Sequence, residues 1–225
     1  MHIRKFSNLS NILILFFLTL FLFLVLLPNF ILARNQSVED LYFQGINLLE
    51  NEKKYEEALT VFREILDIEP DYPQAHFQIG EIYRLTNQPE KARVYYKNAI
   101  NLKSNYFSAY YSLGLVELEL EEYSDALQSF KETIRIDPGF PEAHYSLGLS
   151  YLKLEQNNKA IDSFQQALLL DSDDFQSHYG LGVAFMQEGN EKEAIQSLNQ
   201  ALALKPDYGK AFYELGKIYR NLDQF

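Results

Sequence analysis

The chain has no cysteine among its 225 residues. That excludes disulfide staples, thiolate zinc sites, a cysteine nucleophile and a lipidated cysteine behind a leader segment. Positive charge is scarce as well, with 20 Lys and Arg against 31 Asp and Glu, for a formal net charge of −11. An acidic chain repels the phosphates that dominate nucleic-acid affinity, so nucleic acid is not an expected partner. After residue 38 there is no Pro/Gly/Ser-rich linker or low-complexity block, which predicts one continuous domain from 39 to 225. No Gly-rich phosphate loop, Ser/His/Asp order or paired-acid motif is present, so neither catalysis nor a cofactor is expected. What is present is 47% hydrophobic and 23% charged residues, enough to bury a core and to argue against disorder.

One long apolar run stands out. Ile12 to Leu27 is interrupted only by Thr19 and follows His2, Arg4 and Lys5. Such a run predicts a membrane-targeting apolar helix within residues 1–34, with its basic flank cytoplasmic and the rest of the chain outside. The expected location is therefore the cell envelope, either membrane-anchored or secreted and periplasmic. Phe30 to Ala33 could lengthen the run past Pro28 and Asn29, and Ile31-x-Ala33 offers an imperfect cleavage site. Signal peptide and transmembrane anchor (residues 12–33 if uncleaved) both stay open. Residues 1–34 hold three of the 20 basic residues and no acidic one, so residues 35–225 carry −14. A short polar linker, 35–38, leads into the domain.

That domain is periodic. Pro70, Pro138 and Pro206 are spaced by 68, twice 34, with Ser104 and Ser172 at the intermediate points. The same 34-residue step links Gly80, Gly114, Gly148, Gly182 and Gly216, and it links Ala58, Ala92, Ala126, Ala160 and Ala194. Four residues after each alanine, one helical turn on, stands Phe62, Tyr96, Phe130, Phe164 or Leu198. Between these marks the chain reads as paired amphipathic helices, for example Pro141 to Leu154 and then Asn157 to Leu170. Small residues where two helices cross allow close approach, and proline after the second helix ends it. Each repeat is thus a helical hairpin.

The pattern resembles the tetratricopeptide repeat (TPR) family over residues 39 to 225. Its fourth repeat carries Leu147-Gly148, Tyr151, Ala160, Phe164 and Ala167, with Ser172 in place of the final proline. The resemblance implies an all-α fold, a right-handed superhelical solenoid of antiparallel helix hairpins, with about five repeats and a final single helix. Two departures carry expectations of their own. Gly45 and Ala58 are 13 apart where later pairs are 12 apart, so the first hairpin should be slightly distorted. Glu117 stands where Tyr83, Tyr151, Phe185 and Tyr219 are aromatic, and is read either as solvated by a shifted helix or as a charge aimed at a partner.

The resemblance also implies that the first helix of each hairpin lines a concave groove where other proteins bind. The fifth repeat position, among those pointing into it, is aromatic throughout: Phe43, Phe77, Tyr111, Tyr145, Tyr179 and Tyr213. Packing is the alternative reading of these rings. One and two turns on come Leu115 and Leu118, Leu149 and Leu152, Val183 and Met186. At the ends the equivalent positions are Glu81 and Arg84, and Lys217 and Arg220, read as charges on the groove rim. The expected function is a protein-interaction scaffold of the envelope that holds an apolar or amphipathic peptide or helix in this groove. The alternative is a structural repeat protein that associates with itself or docks by its end, or a fragment of a larger TPR protein; Ile218, Tyr219 and Leu222 on the last helix motivate it.

His76, His144 and His178 share one repeat position but are expected to pack. Equivalent positions in neighbouring repeats lie about 10 Å apart, whereas zinc needs its nitrogens about 2 Å from one centre, so no metal is expected. The cluster Glu117, Glu119, Glu121 and Glu122 is expected to be mostly a solvated face.

Overall fold

The computed structural model describes residues 37–222, which form eleven α-helices and no strand. They fall into two compact units that divide after Glu69. The expected apolar helix of residues 1–34 lies outside the described residues; among the described ones, no helix is long and apolar enough to cross a membrane.

The first unit is a single hairpin, α1 (Val38–Glu50) and α2 (Tyr55–Ile68). Ser37 caps α1: its hydroxyl accepts from the Asp40 amide, and the Asp40 carboxylate accepts in return from the Ser37 amide. Such a reciprocal cap satisfies two orphan amides at the helix start. The turn carries the expected distortion. The Lys54 amide reaches back six residues to the Leu48 carbonyl, at 2.9 Å, and the extra residue is absorbed there while Gly45 still faces the Phe62 ring.

The second unit holds α3 (Pro73–Leu85), α4 (Pro89–Leu102), α5 (Phe107–Glu119), α6 (Tyr123–Ile136), α7 (Pro141–Lys153), α8 (Asn157–Leu170), α9 (Phe175–Gln187), α10 (Glu191–Leu204) and α11 (Gly209–Leu222). α3 to α10 make four hairpins, and α11 is a first helix with no second one among the described residues. Each hairpin turns through a double C-terminal cap. The amides of Gln88, Glu122, Gln156 and Asn190 donate to carbonyls five residues back, at 2.8–2.9 Å, around a residue of positive φ. That residue is Asn87, Glu121, Glu155 or Gly189, with φ of 57°, 61°, 57° and 77°. Only Gly189 adopts it without a Cβ penalty.

The ladders meet in the hairpin interior. Ala92, Ala126, Ala160 and Ala194 are fully buried, as are Tyr96, Phe130, Phe164 and Leu198. The role of the glycines is more specific than close helix approach. A Cβ placed on Gly80, Gly114 or Gly148 would lie 2.6–2.7 Å from the ring of Tyr96, Phe130 or Phe164, and one on Gly182 would lie 2.7 Å from Leu198 Cγ. Each glycine is a notch filled by a side chain from its own hairpin's second helix.

Successive helices pack on one another, and so do successive first helices: α3 on α5, α5 on α7, α7 on α9 and α9 on α11. The first helices therefore form one continuous layer in this unit. The histidines pack as expected and also brace the seams between hairpins. Nε2 of His76, His144 and His178 lies 3.0, 3.3 and 3.0 Å from the carbonyls of Pro70, Pro138 and Ser172, in the turns that precede their helices. These carbonyls follow the end of a helix, so a side-chain donor replaces the lost backbone partner.

Candidate peptide-binding face

The layer of first helices brings six aliphatic side chains onto one side of the second unit. Leu115 and Leu118 (α5), Leu149 and Leu152 (α7), and Val183 and Met186 (α9) stand three residues apart on their helices and are all half-buried. Their inner sides close the cores beneath. The four leucines pack against the cluster around Phe130, Tyr151 and Phe164, and Met186 packs against that around Ala194 and Leu198. A half-buried aliphatic row keeps apolar surface in water, which folding alone does not require.

The aromatic positions divide. Tyr111, Tyr145 and Tyr179 are half-buried, and their rings pack: Tyr111 on Phe130 and Phe140 at 5.8 and 4.9 Å between centroids, Tyr145 on Phe164 at 5.9 Å, Tyr179 on Tyr208 at 5.2 Å. Phe77 likewise meets Tyr96 and Tyr106. Phe77, Tyr111 and Tyr179 meet Tyr106, Phe140 and Tyr208 in the turns that lead to the next hairpin, while Tyr145 packs within its own, so much of their apolar area is already spent on the fold. Burial pushes the Tyr145 hydroxyl up to about 12. Phe43 in the first unit and Tyr213 on α11 are different: they are 69% and 68% exposed.

Three of the four charges expected on the rim, Glu81, Arg84 and Lys217, are engaged within their own helices or cores. Glu81 is not a free rim charge: its side chain is 16% exposed and accepts from Tyr96 Oη at 2.6 Å, Ser112 Oγ at 2.7 Å and Arg84 Nη2 at 2.7 Å. Burial would push this carboxyl up, but the three hydrogen bonds together hold it below its ordinary value, so it stays ionised. Burial and the adjacent carboxylate raise the Tyr96 hydroxyl. Lys217 pairs with Glu214 at 2.6 Å, and Arg220 is exposed. The apolar row is thus flanked by charges that are largely neutralised in place.

Glu117 corrects both of its sequence readings. It is neither solvated nor presented to a partner, being 3% exposed inside the third hairpin, with Ser129 Oγ donating to it at 2.6 Å. Burial, only partly offset by Ser129, raises its pKa. The rest of that acidic cluster lies at the surface, with Glu119 and Glu121 exposed and Glu122 half-buried. Glu121 occupies the positive-φ turn, and Glu122 accepts from Arg93 at 2.7 Å. Among the described residues no group of His, Asp and Glu is arranged to hold a metal.

Tetratricopeptide repeat models match residues 50–114 and 145–209, and a TPR repeat model matches 114–155. No curated protein matches the sequence significantly. Among solved structures the chain is similar to YrrB, described as a TPR protein with an unusual peptide-binding site, at 20% identity and a TM-score of 0.73 over 83% of this chain and 96% of that one. It is also similar to MamA of Desulfovibrio magneticus RS-1, at 25% identity and 0.71 over 77% and 98%, and to a tetratricopeptide repeat protein of Parabacteroides merdae, at 19% and 0.73 over 84% and 75%. The notches, the ladders and the family matches agree: from residue 50 to residue 209 this chain is built of tetratricopeptide repeats and belongs to that family.

Proposed function

We propose that this protein is an interaction scaffold whose first-helix face, in the second unit, receives an apolar or amphipathic peptide or helix from another protein. The observation that carries the reading is the aliphatic row Leu115, Leu118, Leu149, Leu152, Val183 and Met186, half-exposed on three successive first helices that pack on one another. Such a row suits a helix laid along it with anchors every third or fourth residue. The paired charges at both ends change the expectation about orientation. Because Glu81–Arg84 and Lys217–Glu214 are satisfied internally, binding should depend weakly on salt and strongly on apolar contact. The description of YrrB as peptide-binding supports a peptide as the class of ligand.

Placement in the cell envelope rests on Ile12–Leu27 and its basic flank. Membrane fractionation combined with protease added to intact cells tests it: the repeats should be cleaved from outside.

The binding face is tested with a photo-crosslinking amino acid at Leu149 or Val183 in the full-length protein. Partner peptides captured there and lost on Leu115→Glu would support the reading. Equal capture from an exposed second-helix position such as Gln165 would refute it.

A further inference from the structure

The first helices α5, α7 and α9 each have further helices of the second unit packed on both sides, so the exposure of their shared face does not depend on where the chain stops. That face carries the apolar row as two lines: Leu115, Leu149 and Val183, and, three residues further along each helix, Leu118, Leu152 and Met186. Packed helices stand about 10 Å apart, so each line repeats at about that interval. An α-helix laid across the lines rises about 10.5 Å in seven residues. Its apolar side chains therefore stay in step with the row when they recur with a heptad period.

The row itself offers a guest no hydrogen bond. Ser112, one turn before Leu115, already donates to Glu81 at 2.7 Å. An extended guest would leave backbone amides and carbonyls unpaired over this surface, whereas a helix satisfies its own.

One turn beyond Leu115 and Leu149, on the same side of their helices, stand Glu119 and Lys153, both exposed. They occupy equivalent positions of neighbouring repeats and carry opposite charge. Among the described residues neither is held in an ion pair, unlike Glu81 with Arg84 or Lys217 with Glu214 at the ends of the row.

We propose that this face takes an amphipathic helix of a partner protein whose apolar residues follow a heptad and whose flank presents a basic residue to Glu119 and, seven positions away, an acidic one to Lys153. The inference rests on the reading of this face as the binding site and adds the register and direction of its guest. The apolar lines supply affinity, and the two charges fix which way the guest helix runs. The chain's own apolar run, Ile12–Leu27, matches the row in character but has no charge to offer Glu119 or Lys153.

The test is fluorescence anisotropy of labelled peptides of about eighteen residues, titrated with the full-length protein in mild detergent and read against detergent alone. The matched peptide has leucine at the a and d positions of each heptad. Lysine flanks them at e and g in the first heptad, and glutamate in the second. A permuted peptide has the same composition without the heptad. Saturable binding of the matched peptide alone is expected. Glu119→Lys or Lys153→Glu should each weaken it about threefold to tenfold at low salt, because one attraction becomes a repulsion. The double exchange should restore it, since the peptide can then bind in the opposite direction. Both residues are exposed, so these variants should keep the circular dichroism spectrum of the parent.

Leu115→Glu separates this inference from the reading beneath it. Binding that is lost in Leu115→Glu but indifferent to the charge exchanges overturns the inference and leaves the face as the site. Binding that survives Leu115→Glu overturns both. Equal binding of the permuted peptide, or binding of neither peptide, also overturns the inference.

Discussion

Replacing Gly148 by alanine should destabilise the protein, although it exchanges one of the poorest helix formers for the best. In an open helical position that exchange gains about 1 kcal/mol. Here the new methyl would lie 2.7 Å from Phe164 Cε1 and 2.8 Å from Cδ1. The ring cannot retreat, because Gly180 on α9 closes the other side of its slot, and a Cβ there would lie 2.6 Å from the same ring. Phe164 is fully buried between the two helices, so relief requires the α7–α8 hairpin to open by several tenths of an ångström. Overpacking of this kind costs about 1–3 kcal/mol, and it also weakens the contacts of Ala160 with the neighbouring helix. The net expectation for Gly148→Ala is a loss of about 1–2 kcal/mol, with Tm falling by about 2–4 °C per kcal/mol for a chain of this size. Gly216→Ala is the internal control. With nothing near its Cβ, it should keep the propensity gain and raise Tm. Thermal unfolding followed by circular dichroism reads both variants. Equal stabilisation by the two substitutions would refute the idea that the glycine ladder exists to receive rings.

Three further outcomes follow from the same geometry. Glu121→Gly and Glu155→Gly, at exposed positive-φ turns, should each raise stability by about 0.5–1 kcal/mol in urea unfolding, because glycine enters that conformation freely. Glu117, whose pKa is raised in the folded state, binds its proton more tightly there, so its contribution is favourable below the unfolded value and declines as pH rises through the folded one. Glu117→Gln, which can still accept from Ser129, should therefore be more stable than the parent at pH 7, with the gap closing toward pH 4. Glu81 behaves with the opposite sign. Its pKa is lowered by Arg84, Tyr96 and Ser112, so its stabilisation is present above the unfolded value and is lost as pH falls through the folded one. Glu81→Ala should cost about 2–3 kcal/mol at pH 7 in urea unfolding and less at pH 3, because three donors lose their acceptor.

What the sequence made legible was whatever repeats. Glycine, alanine and aromatic at fixed offsets implied hairpins, and α7 and α8 fall at Pro141–Lys153 and Asn157–Leu170, nearly where periodicity puts them. The extra residue of the first hairpin was also visible as a count, and it lies in the turn. The charges were harder to read, because their partners come from other helices. Glu81 looks like a surface residue on its own helix, and its partners Tyr96 and Ser112 stand 15 and 31 residues away. Glu117 broke an aromatic position, a signal that something was unusual there, but only Ser129 across the hairpin explains why a carboxylate is held inside. The turns hid for another reason. Glycine announces a left-handed residue, and Lys53, Asn87, Glu121 and Glu155 adopt that conformation without it. The histidines could be read from the sequence only as one shared repeat position, and their carbonyl partners were invisible until the seams were built.

The notch-and-ring contact is completed within one hairpin, whereas the histidine braces and the layer of first helices join one hairpin to its neighbour. The chain is therefore modular at a single cutting length. Removing 34 residues that start in one seam and end at the same point of the next, such as 107–140, would delete a whole rung and return the flanking helices to equivalent partners. Removing 17 would leave a first helix facing another first helix, with no side chain to fill its glycine. Evolution of this molecule by gain and loss of segments is thus confined to whole rungs, and its working length is a count of rungs more than of residues.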